Sequence, residues 1–253
     1  MVTLTSIDRW KASAIHLGIS AAIGIGVVVL MLALWYPHHY FAAMGGDTLI
    51  MLLIGVDVVI GPLITLIVFD PKKKNLRFDL AVIALLQLAA LVYGCSIMLR
   101  ARPVYNVFVV DRFEVIAANA IDDESREKAK PAFQSLSLTG PKLAGALEPT
   151  DPKRQSDILI SAAGGGNDLS NLPDLFVSYD EVKAQAGRAA KPLAELVRHQ
   201  PQDAPIVKSF VAASGRAEDA VGYLPMKARN RDMAVVVDRK TGDVLGIVPV
   251  NPW

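Results

Sequence analysis

Apolar residues in this chain are concentrated in three long runs before Arg100, with short polar segments between them. The runs cover residues 14–36, 49–69 and 80–99. Each is close to the ~20 residues that an α-helix needs to cross the hydrocarbon core of a bilayer. The pattern therefore predicts a membrane domain, residues 1–100, that contains three transmembrane helices.

Beyond Arg100 the pattern changes to short runs of β-branched and aromatic residues near the two ends of the remaining sequence. Residues 104–110 and 113–117 are separated by Asp111 and Arg112, which is typical of a β-hairpin. Turn-forming residues separate three further apolar runs. These predict a closing set of antiparallel strands at residues 222–227, 233–237 and 244–250.

Helices are predicted between these two groups of strands. Ser178 and Glu181 have the spacing of a capping box, in which two side chains satisfy free backbone amides at the start of a helix. The predicted helices are 121–130, 178–188, 192–199 and 204–213, and the segments 139–152 and 164–166 are expected to be loops. Strands at both ends around central helices predict one α+β domain with antiparallel strands, residues 101–253.

The charge of residues 100–253 is balanced, with 20 Lys and Arg against 20 Asp and Glu. Such a domain has no basic surface large enough to favour nucleic acid. The one cysteine of the sequence, Cys95, lies inside the third apolar run, so the domain is expected to be held by its core without a disulfide. No cofactor is expected.

Positive charge is concentrated in one of the two connectors between the apolar runs. Residues 70–77 contain four Lys and Arg, and residues 37–47 contain none. Because cytoplasmic loops carry the excess of Lys and Arg, this asymmetry predicts a cytoplasmic N-terminus and a C-terminal domain on the other side of the membrane. The first run is long for a cleaved signal peptide and is expected to be a retained anchor.

Catalytic motifs of the GxSxG, Walker, HExxH and CxxC types are absent from the sequence. The glycine run 164–166 lacks the Lys and Ser or Thr of a phosphate-binding loop, so a turn is the preferred interpretation. His38 and His39 have no cysteine or carboxylate cluster beside them, which favours interfacial residues over a metal site. The chain is therefore expected to be a binding protein and not an enzyme.

Asp57 stands in the middle of the second apolar run, where a carboxylate is costly and commonly marks a functional site. Counted at ~1.5 Å per residue from the cytoplasmic ends of the runs, Asp57 lies at roughly 18 Å, Tyr93 at about 20 Å and Gln87 at about 10 Å. Two interpretations are open. Asp57 is protonated and hydrogen-bonded to Tyr93 or Gln87 within the bundle, or it contacts a helix of another protein.

Small residues recur every four positions in the first run, at Gly18, Ala22 and Gly26. This spacing favours close packing of one helix face against another helix, from this chain or from a partner. In the second run, Pro62 is expected to bend the helix beside Asp57. An aromatic belt at the outer end of the first run is predicted from Trp35, Tyr36, Tyr40 and Phe41.

Nine short segments of the predicted membrane domain are informative together: Trp10-Lys11, His16-Leu-Gly-Ile-Ser20, Gly55-Val-Asp57, Gly61-Pro-Leu63, Thr65-Leu66, Lys72-Lys-Lys74, Asp79-Leu-Ala-Val82, Gln87-Leu-Ala-Ala90 and Tyr93-Gly94. Together with the ending Asp238-Arg-Lys-Thr-Gly242 to Asn251-Pro-Trp253, they resemble the type IV pilin accessory proteins, the TfpX/TfpZ and FimB group. The resemblance spans nearly the whole chain and is strongest from Trp10 to Gly94.

The resemblance implies a bacterial inner-membrane protein with a periplasmic domain, which associates with a particular major type IV pilin and supports its stability or its assembly. It implies no catalytic residues. The competing interpretations are a membrane-anchored sensory or signalling protein with a periplasmic binding domain and a membrane enzyme, and the sequence shows neither an output module nor convergent catalytic groups. The oligomeric state is left open.

Overall fold

The computed structural model describes residues 8–253, apart from the side chains of residues 49, 52 and 53. The chain divides into two compact units. The first comprises Met1–Leu34 and Gly46–Arg100, and the second comprises Trp35–Gly45 and Ala101–Trp253. The segment between the first two apolar runs therefore folds with the C-terminal part of the chain.

Helices build the first unit. Helix α1 (Arg9–Leu30) begins at Asp8, whose carboxylate accepts the N–H of Lys11 at 2.8 Å, and it continues as a π-helical turn, Met31–Trp35. The short α2 (Tyr40–Ala43) belongs to the second unit. The chain then forms α3 (Gly46–Ile54), a π-helical segment (Gly55–Ile60), α4 (Gly61–Val68) and α5 (Leu76–Ala101).

Two of the three predicted spans are single helices long and apolar enough to cross a membrane within the described residues, Arg9–Trp35 and Leu76–Ala101. The second predicted span is helical from residue 46 to 68, where α3, the π-helical segment and α4 follow one another without a break, and Gly55–Val68 is a shorter apolar helix within it. Pro62 lies in the first turn of α4, where its missing N–H is tolerated after the π-helical segment.

Helix α1 packs against α4 and the π-helical segment. Ser20 and Gly24 are the buried positions of α1, and a Cβ built on Gly24 would lie 3.8 Å from Cγ2 of Val58. The hydroxyl of Ser13 donates to the carbonyl of Pro62 at 2.9 Å. Small and polar side chains thus allow a close approach on this face of α1.

A mixed eight-stranded sheet forms the centre of the second unit in the part of the chain that is described. The strands are β1 (Pro103–Val109), β2 (Arg112–Ala117), β3 (Lys142–Ala146), β4 (Phe176–Ser178), β5 (Lys191–Pro192), β6 (Val221–Lys227), β7 (Met233–Asp238) and β8 (Val244–Val248). Their order is β4-β3-β1-β2-β6-β7-β8, with β5 beside β6. The predicted hairpin and closing meander are antiparallel, but β1 pairs with β3 and β2 with β6 in parallel. The prediction of antiparallel strands is therefore confirmed in part, because the sheet is mixed.

Besides α2, the second unit contains six α-helices among the described residues: α6 (Asp123–Lys128), α7 (Pro131–Gln134), α8 (Pro152–Ala163), α9 (Tyr179–Ala189), α10 (Leu193–His199) and α11 (Ala204–Ser214). Tyr179 of α9 packs its ring against Phe108 and Phe113 on one face. The side chains of Tyr105 and Val107 lie on the opposite face of β1 and belong to a separate apolar cluster. The capping box at Ser178 and Glu181 is present and starts α9.

Strand β3 lies within residues 139–152, which were predicted to be a loop. Its short sequence Lys-Leu-Ala-Gly-Ala has little β-propensity, and it is a strand because it pairs with β1 on one side and β4 on the other. Gly145 lies directly under Val182 of α9, where a side chain would clash. Long-range packing, which local composition does not encode, determines this element.

The segment Trp35–Gly45 contributes buried side chains to the second unit. Tyr36, Tyr40 and Met44 are buried, and the side-chain amide of Asn106 in β1 donates to the hydroxyl of Tyr40. The carbonyl of Ala43 accepts the N–H of Asn230 at 2.8 Å. The predicted aromatic belt is therefore wrong for Tyr36 and Tyr40, which belong to a protein core.

Candidate functional site

An irregular hydrogen-bond pattern surrounds Asp57 in the first unit. The N–H of Gly61 donates to the carbonyl of Val56, five residues earlier, as in a π-helix. In a regular α-helix that N–H would donate to the carbonyl of Asp57. The carbonyl of Asp57 instead accepts a hydrogen bond from Nε2 of Gln87 at 3.0 Å. A polar side chain of α5 thus satisfies a backbone group that the π-helical segment leaves free.

Gly61 makes room for this contact. A Cβ built on Gly61 would overlap the side-chain amide of Gln87. Gly61 and Pro62 therefore have different roles. Pro62 has no N–H and is compatible with the π-helical segment before it, and Gly61 has no side chain, so α5 can approach this segment closely.

Asp57 is one of the residues that line a small cavity. Asp57 is 9% exposed, and its Oδ1 is buried without a hydrogen-bond partner in the part of the chain that the structure describes. The cavity has a volume of about 160 Å³ and lies between α1, the π-helical segment and α5, where Ile23, Val58, Leu88 and Leu91 line it. Asp57 thus shares a largely apolar cavity with three other polar residues, His16, Ser20 and Gln87.

A second cavity, of about 330 Å³, adjoins the first and shares His16, Ile19 and Ala84 with it. Nδ1 of His16 lies 2.6 Å from the hydroxyl oxygen of Thr65, so these two polar groups are paired. The two cavities together form a groove between α1 and α5, which we name the α1–α5 groove and define by Ile19, Ile23, Ala84 and Leu88, with Asp57 at its floor.

Gln87 and Tyr93 differ in their relation to Asp57. Helix α5 begins at Leu76, four residues before the predicted run, so Gln87 and Asp57 each lie eleven residues from the ends of their helices, roughly 16 Å. Tyr93 is 68% exposed. The structure therefore brings Gln87 to Asp57, through the backbone, and not Tyr93; the predicted equal depth of Tyr93 rested on the wrong start of α5.

The stripe of Gly18, Ala22 and Gly26 is exposed along its length. No described atom lies within 4 Å of a Cβ built on Gly18 or Gly26. The face of α1 that packs within the chain is the one that carries Ser13, His16, Ser20 and Gly24. Sequence reasoning missed this face, although small and polar residues at helical spacing within an apolar run could have revealed it.

The second unit contains another buried polar atom without a partner among the described residues, Oδ1 of Asn106. Asn106 is 7% exposed and lines a cavity of about 380 Å³ together with His38, His39 and Tyr40. Burial raises the pKa of Tyr40, and the hydrogen bond from Asn106 opposes that rise. No cluster of three or more His, Cys, Asp or Glu side chains that could hold a metal occurs within residues 8–253.

Comparison with known proteins gives consistent matches. The family model described as "Fimbrial assembly protein FimB" matches residues 5–45. The "Fimbrial assembly protein, serogroup I" of Dichelobacter nodosus is 30% identical over 236 residues, 90% of each chain. The serogroup E1 protein of that organism is 29% identical over the same length, and the protein of serogroups C1 and C2 is 35% identical over 113 residues, 44% of this chain and 86% of that protein. No solved structure matches the chain.

The chain combines two helices long and apolar enough to cross a membrane with a separate unit built on a mixed sheet, which is compatible with the class of membrane-associated proteins. Within that class, the chain belongs to the FimB-like family of type IV pilus accessory proteins. The resemblance seen in its sequence is confirmed.

Proposed function

We propose that this protein acts in pilus assembly by binding the major type IV pilin in the membrane and stabilising that subunit before it is incorporated. The names of its relatives support a role in fimbrial assembly. The observation that carries the more specific proposal is the α1–α5 groove, because it offers an apolar surface at membrane depth to the side chains of a partner helix. In this account the protein is a binding protein and not an enzyme.

The outward faces of the long helices support this proposal. In the most apolar window of each, only 17% of the residues of Arg9–Trp35 and 11% of those of Leu76–Ala101 are buried. Their exposed side chains are therefore available to lipid and to a partner. Because lipid tails are as apolar as leucine, association with a partner helix depends on close packing and on polar contacts. The exposed Gly18, Ala22 and Gly26 and the unpaired Asp57 are residues of those two kinds.

We further propose that the protein lies in the bacterial inner membrane with its N-terminus in the cytoplasm and with residues 46–68 as a third, irregular span. The cations of residues 70–77 support a cytoplasmic position for that loop. Residues 35–45 fold with residues 101–253, so the two segments lie on one side of the membrane. That side is the periplasm in this account, where the head of a membrane-held pilin would also lie.

The proposal is tested by filling the α1–α5 groove in the full chain. Ala84 lines both cavities, and Ala89 is an exposed residue of the same helix that lines neither. Ala84→Trp should reduce the pilin that co-purifies with the tagged protein several-fold, whereas Ala89→Trp should not. Both variants must be present at the wild-type level. Unchanged pilin recovery with Ala84→Trp would remove the groove from the proposal.

A further inference from the structure

We propose that the Asp57 cavity receives one hydrogen-bond-donating side chain from the middle of a partner's transmembrane helix. This inference rests on the proposed function and specifies the chemistry of the contact. The proposed occupant is an apolar helix with a single hydrogen-bond donor near its centre.

The unpaired Oδ1 of Asp57 is the first support. A polar atom that is buried in an apolar setting without a hydrogen bond is destabilising, and a donor from a partner would remove that cost. The other polar residues that line the cavity are His16, Ser20 and Gln87, and none of them donates to Oδ1. Gln87 donates to the backbone carbonyl of Asp57, and His16 is paired with Thr65. The described part of the chain thus leaves an acceptor for which it supplies no donor.

The size of the cavity is the second support. A volume of about 160 Å³ is close to that of an engineered cavity known to hold one benzene-sized molecule. It admits one side chain and excludes a whole helix, whose diameter is about 10 Å. The adjoining cavity, with Ile19 and Ala84 in its wall, extends the same surface along α1 and α5. A helix that lies along this surface would present its neighbouring apolar residues there.

The experiment uses synthetic helices as probes and the full chain in lipid vesicles. One probe is a Leu/Ala helix with Gln at its centre, the second has Leu at that position, and the third carries the Gln two turns nearer one end. Association is measured by energy transfer between labels. The central-Gln helix should bind the wild-type chain about 3- to 10-fold more tightly than the other two, as expected for one interhelical hydrogen bond.

Two variants separate hydrogen bonding from folding. Asp57→Leu removes the acceptor and should abolish the preference for the central-Gln helix over the all-apolar helix. Asp57→Asn keeps an acceptor oxygen and should keep the preference. If the wild-type chain shows no preference, or if Asp57→Leu retains it, the inference is overturned. Pilin that still co-purifies in that case would leave the proposed function standing, whereas loss of pilin binding by the wild-type chain would contradict the proposed function itself.

Discussion

Nε2 of Gln87 lies 3.0 Å from the backbone carbonyl oxygen of Asp57, while Oδ1 of the same residue has no hydrogen-bond partner among the described residues. This contact joins α5 to the π-helical segment, but it provides no hydrogen bond for the carboxyl of Asp57. Of the two interpretations that the sequence left open for Asp57, a hydrogen bond from its carboxyl to Gln87 or Tyr93 is not the arrangement in the structure. A role for that carboxyl toward another helix is therefore the one we carry forward.

The Gly61–Gln87 approach predicts a stability effect. Gly61→Ala should displace the amide of Gln87, leave the carbonyl of Asp57 without its donor and lower the free energy of unfolding by about 1–3 kcal/mol. Gly55→Ala is a matched control, because no described atom lies within 4 Å of a Cβ at Gly55. Thermal unfolding of the full chain in detergent measures both variants. Equal melting temperatures would contradict the assigned role of Gly61.

The two faces of α1 should respond differently to added volume. Gly24→Leu introduces a side chain against Val58 and should destabilise the first unit by about 1–3 kcal/mol through overpacking. Gly18→Leu meets open space and should leave stability unchanged, but it should lower pilin recovery if the exposed stripe contacts a partner. Unfolding and co-purification are measured on the same preparations. A destabilised Gly18→Leu protein would mean that the stripe packs within the chain.

Tyr40 links Trp35–Gly45 to the sheet of the second unit. Tyr40→Phe removes the hydroxyl that accepts from Asn106 and leaves the whole side-chain amide of Asn106 unpaired. The expected cost is about 1–3 kcal/mol, because a buried polar group without a partner bears its full desolvation penalty. Faster hydrogen exchange of the β1 amides in the full chain would show this loss of stability. Phe41→Leu is the control, since the Phe41 ring contacts Tyr36 and makes no such hydrogen bond.

Asp238 should make the second unit sensitive to acid. Hydrogen bonds from the backbone N–H of Thr241 and Lys240, together with the nearby Arg216, lower the pKa of this buried carboxyl. A carboxylate with a lowered folded-state pKa stabilises the fold fully above its unfolded pKa, and the contribution disappears as pH falls through the folded value. Asp238→Asn should therefore be less stable than the wild type at neutral pH, with the gap closing in acid. Hydrogen exchange of β7 across pH measures the gap; a constant difference would contradict the assignment.

Local chemistry made several elements predictable. The capping box at Ser178 encodes the start of α9 within four residues, and Asp238 to Asp243 encode the turn between β7 and β8. The long apolar helices could be predicted because an apolar run of ~20 residues is uncommon outside membrane-spanning segments. Asp57 stood out for the same reason, as a carboxylate in such a run.

Long-range packing explains what the sequence did not reveal. Strand β3 depends on two neighbours that are distant in sequence, and the burial of Tyr36 and Tyr40 depends on β1. The face of α1 that packs was misjudged because Gly18, Ala22 and Gly26 fit a known motif better than Ser20 and Gly24 do. The role of Gln87 was obscured by four residues at the start of α5, which shift its depth by about one helical turn.

The most direct test of the central claim is site-specific photo-crosslinking in cells that make the pilin. A benzophenone amino acid replaces Ile19, in the α1–α5 groove, or Ile67, on α4. Ile67 is 79% exposed and Ile19 is 56% exposed, so random encounters in the membrane would favour Ile67. We predict a crosslink to pilin from position 19 and little or none from position 67. An equal or stronger crosslink from position 67, or none from position 19, would contradict pilin binding in the groove.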